Sequence, residues 1–577
     1  MSLNSILLTA GVALQNTQYQ IATATENVAN ASQTGATQKT WENTSPASDW
    51  VALSQGQVVR AADAYLSRTV NSSAAASGAS SAIASALQNY DSALGSVANG
   101  DDVSSLLTSF QTALSTLASS PSSAADKASV VTAAANLASG IGGLSSSIQT
   151  LRTQASSDIG TTVTAINSDL KTLQGLNAQI AAAGATGADT SSLLDQRDSA
   201  LSDLSSKMGV QSYVNGAGQL VVYDQGGDQL LGDQAATLSY ADNGQLGAGT
   251  SYPGAIGGIM VGGKDITGTV TTGALGGLIQ LRDSLLPAQQ DQLDQMASSL
   301  IATANTAANA GTAFPAPSSL ASNATVSGSD AFSATGVVRI AVTSSSGAVI
   351  SSTDLDLSAY SSVSDLLTGL NGISGVSASI DGSGKLTLQA TGAGAGIALG
   401  GMTSSVGASG QSFSDYFGFN DLFTGDSAAT IAVSPTLAAD PSDLPTGTLS
   451  SASVLAAGAS GVTASDASAI TGLSGALTTA RSVAADGTAK ATTSTLTDLA
   501  TNFVANAASV ISAASSRSDS DASVLSAAQN ALSNATGINV DQQTALLTQY
   551  QNQYEATAQL MASAKAMYAT LISMMQA

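Results

Sequence analysis

Apolar residues recur along this chain at three different spacings, and where the spacing changes the architecture changes with it. Near the C-terminus, Leu547, Tyr550, Tyr554, Thr557, Met561, Ala564, Tyr568, Leu571 and Met575 step by alternating threes and fours. That rhythm puts all of them on one side of a helix, with mostly Gln, Asn, Ser, Thr and Ala between them. The N-terminus repeats it at Leu3, Leu7, Ala10, Leu14, Thr17, Ile21, Ala24 and Val28 and stops near Asn30 and Gly35. About 28 helical residues extend roughly 40 Å. Asn539 is placed to cap the C-terminal helix, with Gln542 three residues on as in a capping box. Two matched stripes predict that the ends pair with each other, parallel or antiparallel, rather than each packing on its nearest domain. Ala and Thr fill five of these seventeen seam positions, so the pair is weak by itself. Neighbouring copies would supply the missing burial.

Between the ends the period is first helical. From about 80 to 205, Leu106, Leu107, Phe110, Leu114 and Leu117 mark one helix that Pro121 ends. A longer run from 124 to 183 carries Val130, Leu137, Ile141, Leu144, Ile148 and Leu151, then Ile166, Leu170, Leu173, Leu176 and Ile180. The stretch "TSSLLDQRDSALSDLSSKMGV" begins with Ser or Thr caps and stops at Gly209. At residue 211 the period becomes two: "QSYVNGAGQLVVYD", "QAATLSYADNGQL" and "GIMVGGKDITGTV" are short strands separated by turn dipeptides. Helix returns over 273–311. A second β-rich stretch follows, in which Val376, Ala378 and Ile380 are answered by Leu386, Leu388 and Ala390, with a short helix at "SVSDLLTGLN". Helices resume from 466 to 537.

This order predicts an α+β multidomain chain with terminal coiled-coil helices, an elongated helical-bundle rod and two inserted β-rich domains. The expected division is 1–40 with 539–577 as the terminal coiled-coil domain, and 56–210 with 273–315 and 466–538 as the rod. The inserts are 211–272, a small β domain, and 320–465, an outer β-rich domain. The turn-rich "TSPASDW" separates the first terminal helix from the rod.

Composition narrows the function. The chain has 577 residues, no Cys and no His, and 39 acidic against 16 basic residues for a net charge of −23. Such a balance argues against nucleic acid and against anionic membrane surfaces as partners. The absence of His removes the commonest general base, the serine triad and the usual zinc sites together. No run approaches 18 consecutive large apolar residues, and the N-terminus lacks the basic and apolar regions of a secretory signal. The expectation is a protein exported, if at all, by a route that reads an uncleaved N-terminus. No enzyme activity, cofactor or metal site is expected.

Local motifs read the same way. "DGSGK" at 381–385 has Leu386 where a phosphate loop needs Ser or Thr, and is a hairpin turn. Asp224, Asp228 and Asp233 lack the spacing of a calcium loop and read as turn acids. Asp195, Arg197 and Asp198 form a solvated cluster or an interhelix tie. Phe413, Phe417, Phe419 and Phe423 are core of the second β-rich domain. A carboxylate glycosidase would need an aromatic cleft, and the chain has two Trp. A secreted surface adhesin would need a signal and has no use for matched helical ends.

Several blocks resemble the flagellar hook-associated protein 1 family, the subunit of the hook–filament junction. "ENVANASQTGATQ" is similar to its N-terminal signature, in which Asn-Ile-Ala-Asn precedes Thr-x-Gly-Tyr; here Val28 replaces Ile and Ala36 stands where Tyr is usual. "VVRAADAYLSR", "LLDQRDSALSDLS", "GALGGLIQLRDSLLP" and "GINVDQQTALLTQYQNQYEATAQLMASAKAMYATLISMM" follow in order. The resemblance implies a non-catalytic, extracellular building block exported through the flagellar type III apparatus. It implies paired terminal helices along an inner tube, a rod outside them and β domains outermost. The implied partners are further copies in a helical tube, hook protein, and a second hook-associated protein or filament subunits, with an export chaperone. A hook or filament subunit is the nearest alternative. The residues expected to carry assembly are Leu3, Leu7, Leu14, Ile21, Val28, Leu547, Tyr550, Tyr554, Met561, Tyr568, Leu571 and Met575.

Overall fold

The computed structural model describes residues 3–33, 35–43, 56–96, 98–242 and 244–576. The turn-rich segment at 44–50 lies outside them. The chain opens with α1 (Leu3–Asn30), then a two-stranded antiparallel hairpin, β1 (Lys39–Asn43) with β2 (Gly56–Arg60). The helical body follows as α2 (Ala64–Leu94), α3 (Val103–Ser119), α4 (Ala124–Ala185) and α5 (Ser191–Lys207). Short polar side chains start these helices by accepting from otherwise unpaired N–H groups. Asp63 takes Tyr65 and Leu66 N–H, Asp102 takes Ser104 and Ser105 N–H, and Ser123 takes Asp126 N–H. For α5 the expected Ser or Thr cap is displaced: the preceding Thr190 makes no side-chain cap bond, and Asp189 accepts Ser191 N–H at 2.8 Å instead.

At 62 residues α4 is the longest element. By length and composition alone it is apolar enough to cross a membrane. Its large apolar residues, Val130, Leu137, Ile141, Ile148, Ile159, Ile166, Leu170 and Leu173, are instead buried in the core shared with α2, α3, α5, α6 (Gly273–Gln280) and α7 (Leu286–Asn309). Between α6 and α7 the helix widens into one π turn over Leu281–Leu285. Close packing here depends on missing side chains. A Cβ on Gly277 would lie 2.4 Å from Ala79 O, and one on Gly78 would lie 2.1 Å from Ser206 O, so α2 meets α6 and α5 only through glycine.

Two small antiparallel sheets lie between α5 and α6. One joins Val210–Val214, Leu220–Asp224 and Gln229–Leu231; the other joins Leu238–Tyr240, Ile259–Val261 and Lys264–Asp265. Their inward residues Leu220, Val222, Leu231, Leu238 and Ile259 belong to the helical core rather than to a core of their own. Buried Arg152 fastens this insert to the helices: its Nη2 donates to Thr250 O at 2.6 Å and its Nε to Arg282 O at 3.1 Å. Arg282, fully buried, pairs with Asp283 at 2.6 Å and donates to Tyr240 Oη at 2.8 Å. The Arg-Asp of the "LIQLRDSLLP" block is therefore a clasp between the helices and the small sheets.

The outer module has its own core. One sheet orders Val349–Asp356, Val337–Ser344 and Ala395–Gly400; another orders Val376–Ile380, Lys385–Ala390 and Ser319–Thr325. Val376 faces Ala390, Ala378 faces Leu388 and Ile380 faces Leu386, as the alternation predicts. The "DGSGK" segment is the turn of that hairpin, with Asp381 Oδ1 accepting Ser383 and Lys385 N–H. Helices α8 (Val363–Asn371) and α9 (Phe413–Phe417) close the core, where Phe332, Phe413, Phe417 and Phe419 cluster. Phe423 departs from the expected quartet. It packs edge-on to Phe110, ring centroids 6.1 Å apart, in the helical core. Leu422, Ile431, Leu437 of α10 (Pro435–Ala439) and Leu444 join it there, because the chain has by then returned to the helical body. Residues 449–462 then cover the far face of the Val337–Ser344 sheet through Leu449, Leu455 and Val462. The chain finishes with α11 (Ser468–Thr478), α12 (Leu496–Thr536), which runs along α2, and α13 (Val540–Gln576).

Candidate assembly site

The two terminal helices, α1 and α13, pack along each other. Their direction follows from three contacts. Asn27 Nδ2 donates to Gln543 Oε1 at 3.0 Å, Gln18 Nε2 to Tyr554 Oη at 3.4 Å, and Gly11 faces Met561. Numbers fall on one helix as they rise on the other, so the pair is antiparallel. Asn539 caps α13 by accepting Gln542 N–H at 3.1 Å.

The most deeply buried residues of the apolar stripes are small. Ala10, Thr17 and Ala24, seven apart, are buried on α1, as is Ala564 on α13. Thr17 and Thr23 return their hydroxyls to Ala13 O and Tyr19 O, which leaves methyl groups for the seam. The larger stripe residues are less deeply covered: Leu3, Leu7, Leu14, Ile21, Val28, Leu547, Tyr550, Tyr554 and Met561 are half-buried. Tyr568, Leu571 and Met575 are exposed at 48%, 54% and 82%. Carrying the pairing onward at equal rise puts Leu3 opposite about residue 569. The last turns of α13 thus project past Leu3, and Ile572 and Met574 are exposed beside Leu571 and Met575. The twelve residues expected to carry assembly fall into two groups: nine flank a seam within the molecule, and three lie at an uncovered tip.

At the other end of the pair a polar cluster joins it to the rod. Lys39, 4% exposed, donates its backbone N–H to Asn27 Oδ1 at 3.0 Å, and its carbonyl accepts Asn27 Nδ2 at 2.8 Å. Its ammonium pairs with Glu26 at 2.6 Å and reaches Ser192 on α5. Thr37 bonds Asp195 through both N–H and hydroxyl, and Gln38 N–H donates to Thr536 O at 2.8 Å. Arg60 ties β2 to α5 through Asp195 at 3.0 Å and Asp198 at 2.6 Å. The acids of the "DQRD" block are therefore an interelement tie. Arg197 between them turns inward to Gly218 O, and burial holds its guanidinium below the ordinary arginine range, against the pull of Asp198. Trp41 stacks on Tyr19 with ring centroids 4.4 Å apart. A cleft of about 380 Å³ opens beside the cluster, lined in part by Asn27, Ala36, Thr37, Lys39 and Asp195. Stripe reasoning does not find Asn27, Lys39 or Gln543. A short amide interrupting an apolar stripe is the one trace they leave in the sequence.

The three candidate turn acids do not converge. Asp224 is buried and accepts Asp228 N–H and the Thr269 hydroxyl, whereas Asp228 pairs with Lys264 at 2.7 Å. Among the described residues no group of three or more acids is placed to hold a metal ion.

Comparison with known proteins bears on the middle of the chain. The family model of the flagellar hook-associated protein FlgK helical domain matches residues 87–316. This stretch, less than half of the chain, is what resembles the FlgK helical domain. It runs from late α2 through α7 and includes both small sheets and the Arg282 clasp. The terminal pair, its polar cluster and the outer module lie outside the match. Among solved structures, the flagellar hook junction protein FlgK from Burkholderia pseudomallei is 18% identical, with a TM-score of 0.49, covering 80% of this chain and 98% of that one. That likeness is too loose to bear on function. No curated protein matches the chain.

Proposed function

We propose that this protein is a non-catalytic structural subunit of the bacterial flagellum, placed extracellularly where hook meets filament, and that it assembles through α1 and α13. The resemblance to the FlgK helical domain supports the flagellar assignment. The observation that carries the assembly reading is the tip of α13, where Tyr568, Leu571, Ile572, Met574 and Met575 extend an apolar stripe that none of the described residues covers. In water that surface is unfavourable; each large side chain contributes about 1.5–3 kcal/mol once fully covered. A second copy carries the matching stripe and is the proposed cover, with copies stacked around a common axis. The terminal pair, the rod and the two inserts form the proposed division of the chain, with the terminal pair innermost. Hook protein and a second hook-associated protein or filament subunits are the proposed neighbours. Export by the flagellar type III route, with a chaperone and without a cleaved signal, completes the reading.

The test is a deletion of residues 541–577 in the native host. The truncated chain is expected to keep its folded core, checked by circular dichroism. It should fail to join the flagellum, and fluorescent labelling of the full chain should mark a single position between hook and filament. Normal filament attachment with the truncated chain would refute the role.

A further inference from the structure

The segment 36–39 crosses between the terminal pair and the rod like a strap, and its bonds meet at one side chain. Asn27 holds Lys39 by both backbone groups and Gln543 through the same amide nitrogen. The residues on either side of that point bind other elements: Gln38 to the last turn of α12, Thr37 to Asp195 on α5, and Lys39 Nζ to Ser192 on α5. Asn27 and Gln543 are 1% and 2% exposed. Buried amides are expensive to leave unpaired, and hydrogen bonds that meet at one side chain reinforce one another. Among the described residues Gln543 Nε2 has no hydrogen-bond partner, so the bond to Asn27 is the polar tie that seats this side chain.

We infer that Asn27 couples two events: pairing of α13 with α1, and docking of the strap onto α5. Pairing of the terminal helices then fixes their pose on the rod, and a rod that has lost the strap releases the pair. The coupling is a property of the single chain and stands apart from the flagellar role.

Hydrogen exchange of the full chain, followed by mass spectrometry, tests it with two variants on α13, at residues that make no direct hydrogen bond to a described strap residue. Gln543→Leu removes the bond to Asn27. Ala564→Asp breaks the seam at a buried position about 30 Å along α13 from Gln543. Both are expected to speed exchange at Gln38 and Lys39 by about tenfold, while α4 peptides stay at wild-type rates. A strap still protected beside an opened terminal pair overturns the coupling, and so does wild-type strap exchange in Gln543→Leu. In wild-type monomer, too, pair and strap must be protected together or exposed together; one without the other sinks the inference. The flagellar role is read by a different experiment, so failure of one leaves the other standing.

Discussion

Asp421 sits where the outer module meets the end of α7. Its carboxylate accepts Asn309 Nδ2 at 2.7 Å and Asn323 Nδ2 at 2.9 Å. Burial pushes its pKa above the ordinary 3.8 despite both amide bonds, and neighbouring Asp415 pushes the same way. A carboxyl whose folded pKa is raised holds its proton more tightly when folded. Its stabilising contribution is full below the unfolded value and is lost as pH rises through the folded one. Asp421→Asn carries no such loss. Its stability relative to wild type should climb as pH rises past the ordinary aspartate value and then level off, on top of a pH-independent offset from the altered hydrogen bonds. Urea midpoints of both proteins across about pH 3 to 7 would show the difference, and a flat difference would refute the assignment. The sequence gives little warning of such residues. Asp421 stands among ordinary turn acids, and only the fold places two asparagines against it and takes the water away. Phe413, Phe417 and Phe419 were legible as core because large aromatic side chains must be buried somewhere. Phe423 was assigned to the wrong core because nothing local says that the chain has already left the module.

Among the elements, the terminal helices show what periodicity can and cannot tell. The stripe, the end of α1 at Asn30 and the Asn539 cap were legible, since a heptad, a stop signal and a capping residue are local signals. Which residues of the stripe lie deepest was not. The small Ala and Thr positions are the deeply buried ones, and the large residues between them are only half-buried. Ala24→Leu, at 3% exposure, should therefore force the helices apart at a cost of about 1–3 kcal/mol. Loss of helical signal from the ends on mild heating would report it. Leu571→Ser should leave the monomer's melting within about 0.5 kcal/mol of wild type, because the residue is already exposed. The same change should weaken association between copies, measured by sedimentation. A monomer destabilised as strongly by Leu571→Ser as by Ala24→Leu would mean that the tip is covered within the molecule.

The molecule as a whole contains two large apolar cores, one running through α2–α7 and the small sheets, the other confined to the outer module. Calorimetry should resolve two transitions. Phe417→Ala, which empties a fully buried ring site, should lower the outer one by about 3–5 kcal/mol and leave the other in place. A single transition shifted as a unit would refute the separation. The change from helices to strands and back was legible because the period switches from 3.6 to 2 and back at residues that can be read off the chain. The return of 422–444 to the helical core was hidden, since its short elements have no period long enough to detect.

The length of α4 constrains how this design can change. Near its start, Lys127 donates to Phe314 O and Ser442 O at the root of the outer module; its far end leads through the turn after Ala185 to α5, against which the strap lies. One unbroken helix of 62 residues, about 90 Å, therefore sets the distance between the two extremities. Making the body taller demands matched insertions in several helices at once, whereas new decoration can be grafted onto the outer module at little structural cost. Among descendants of this chain, reach should be nearly constant and ornament free to diverge.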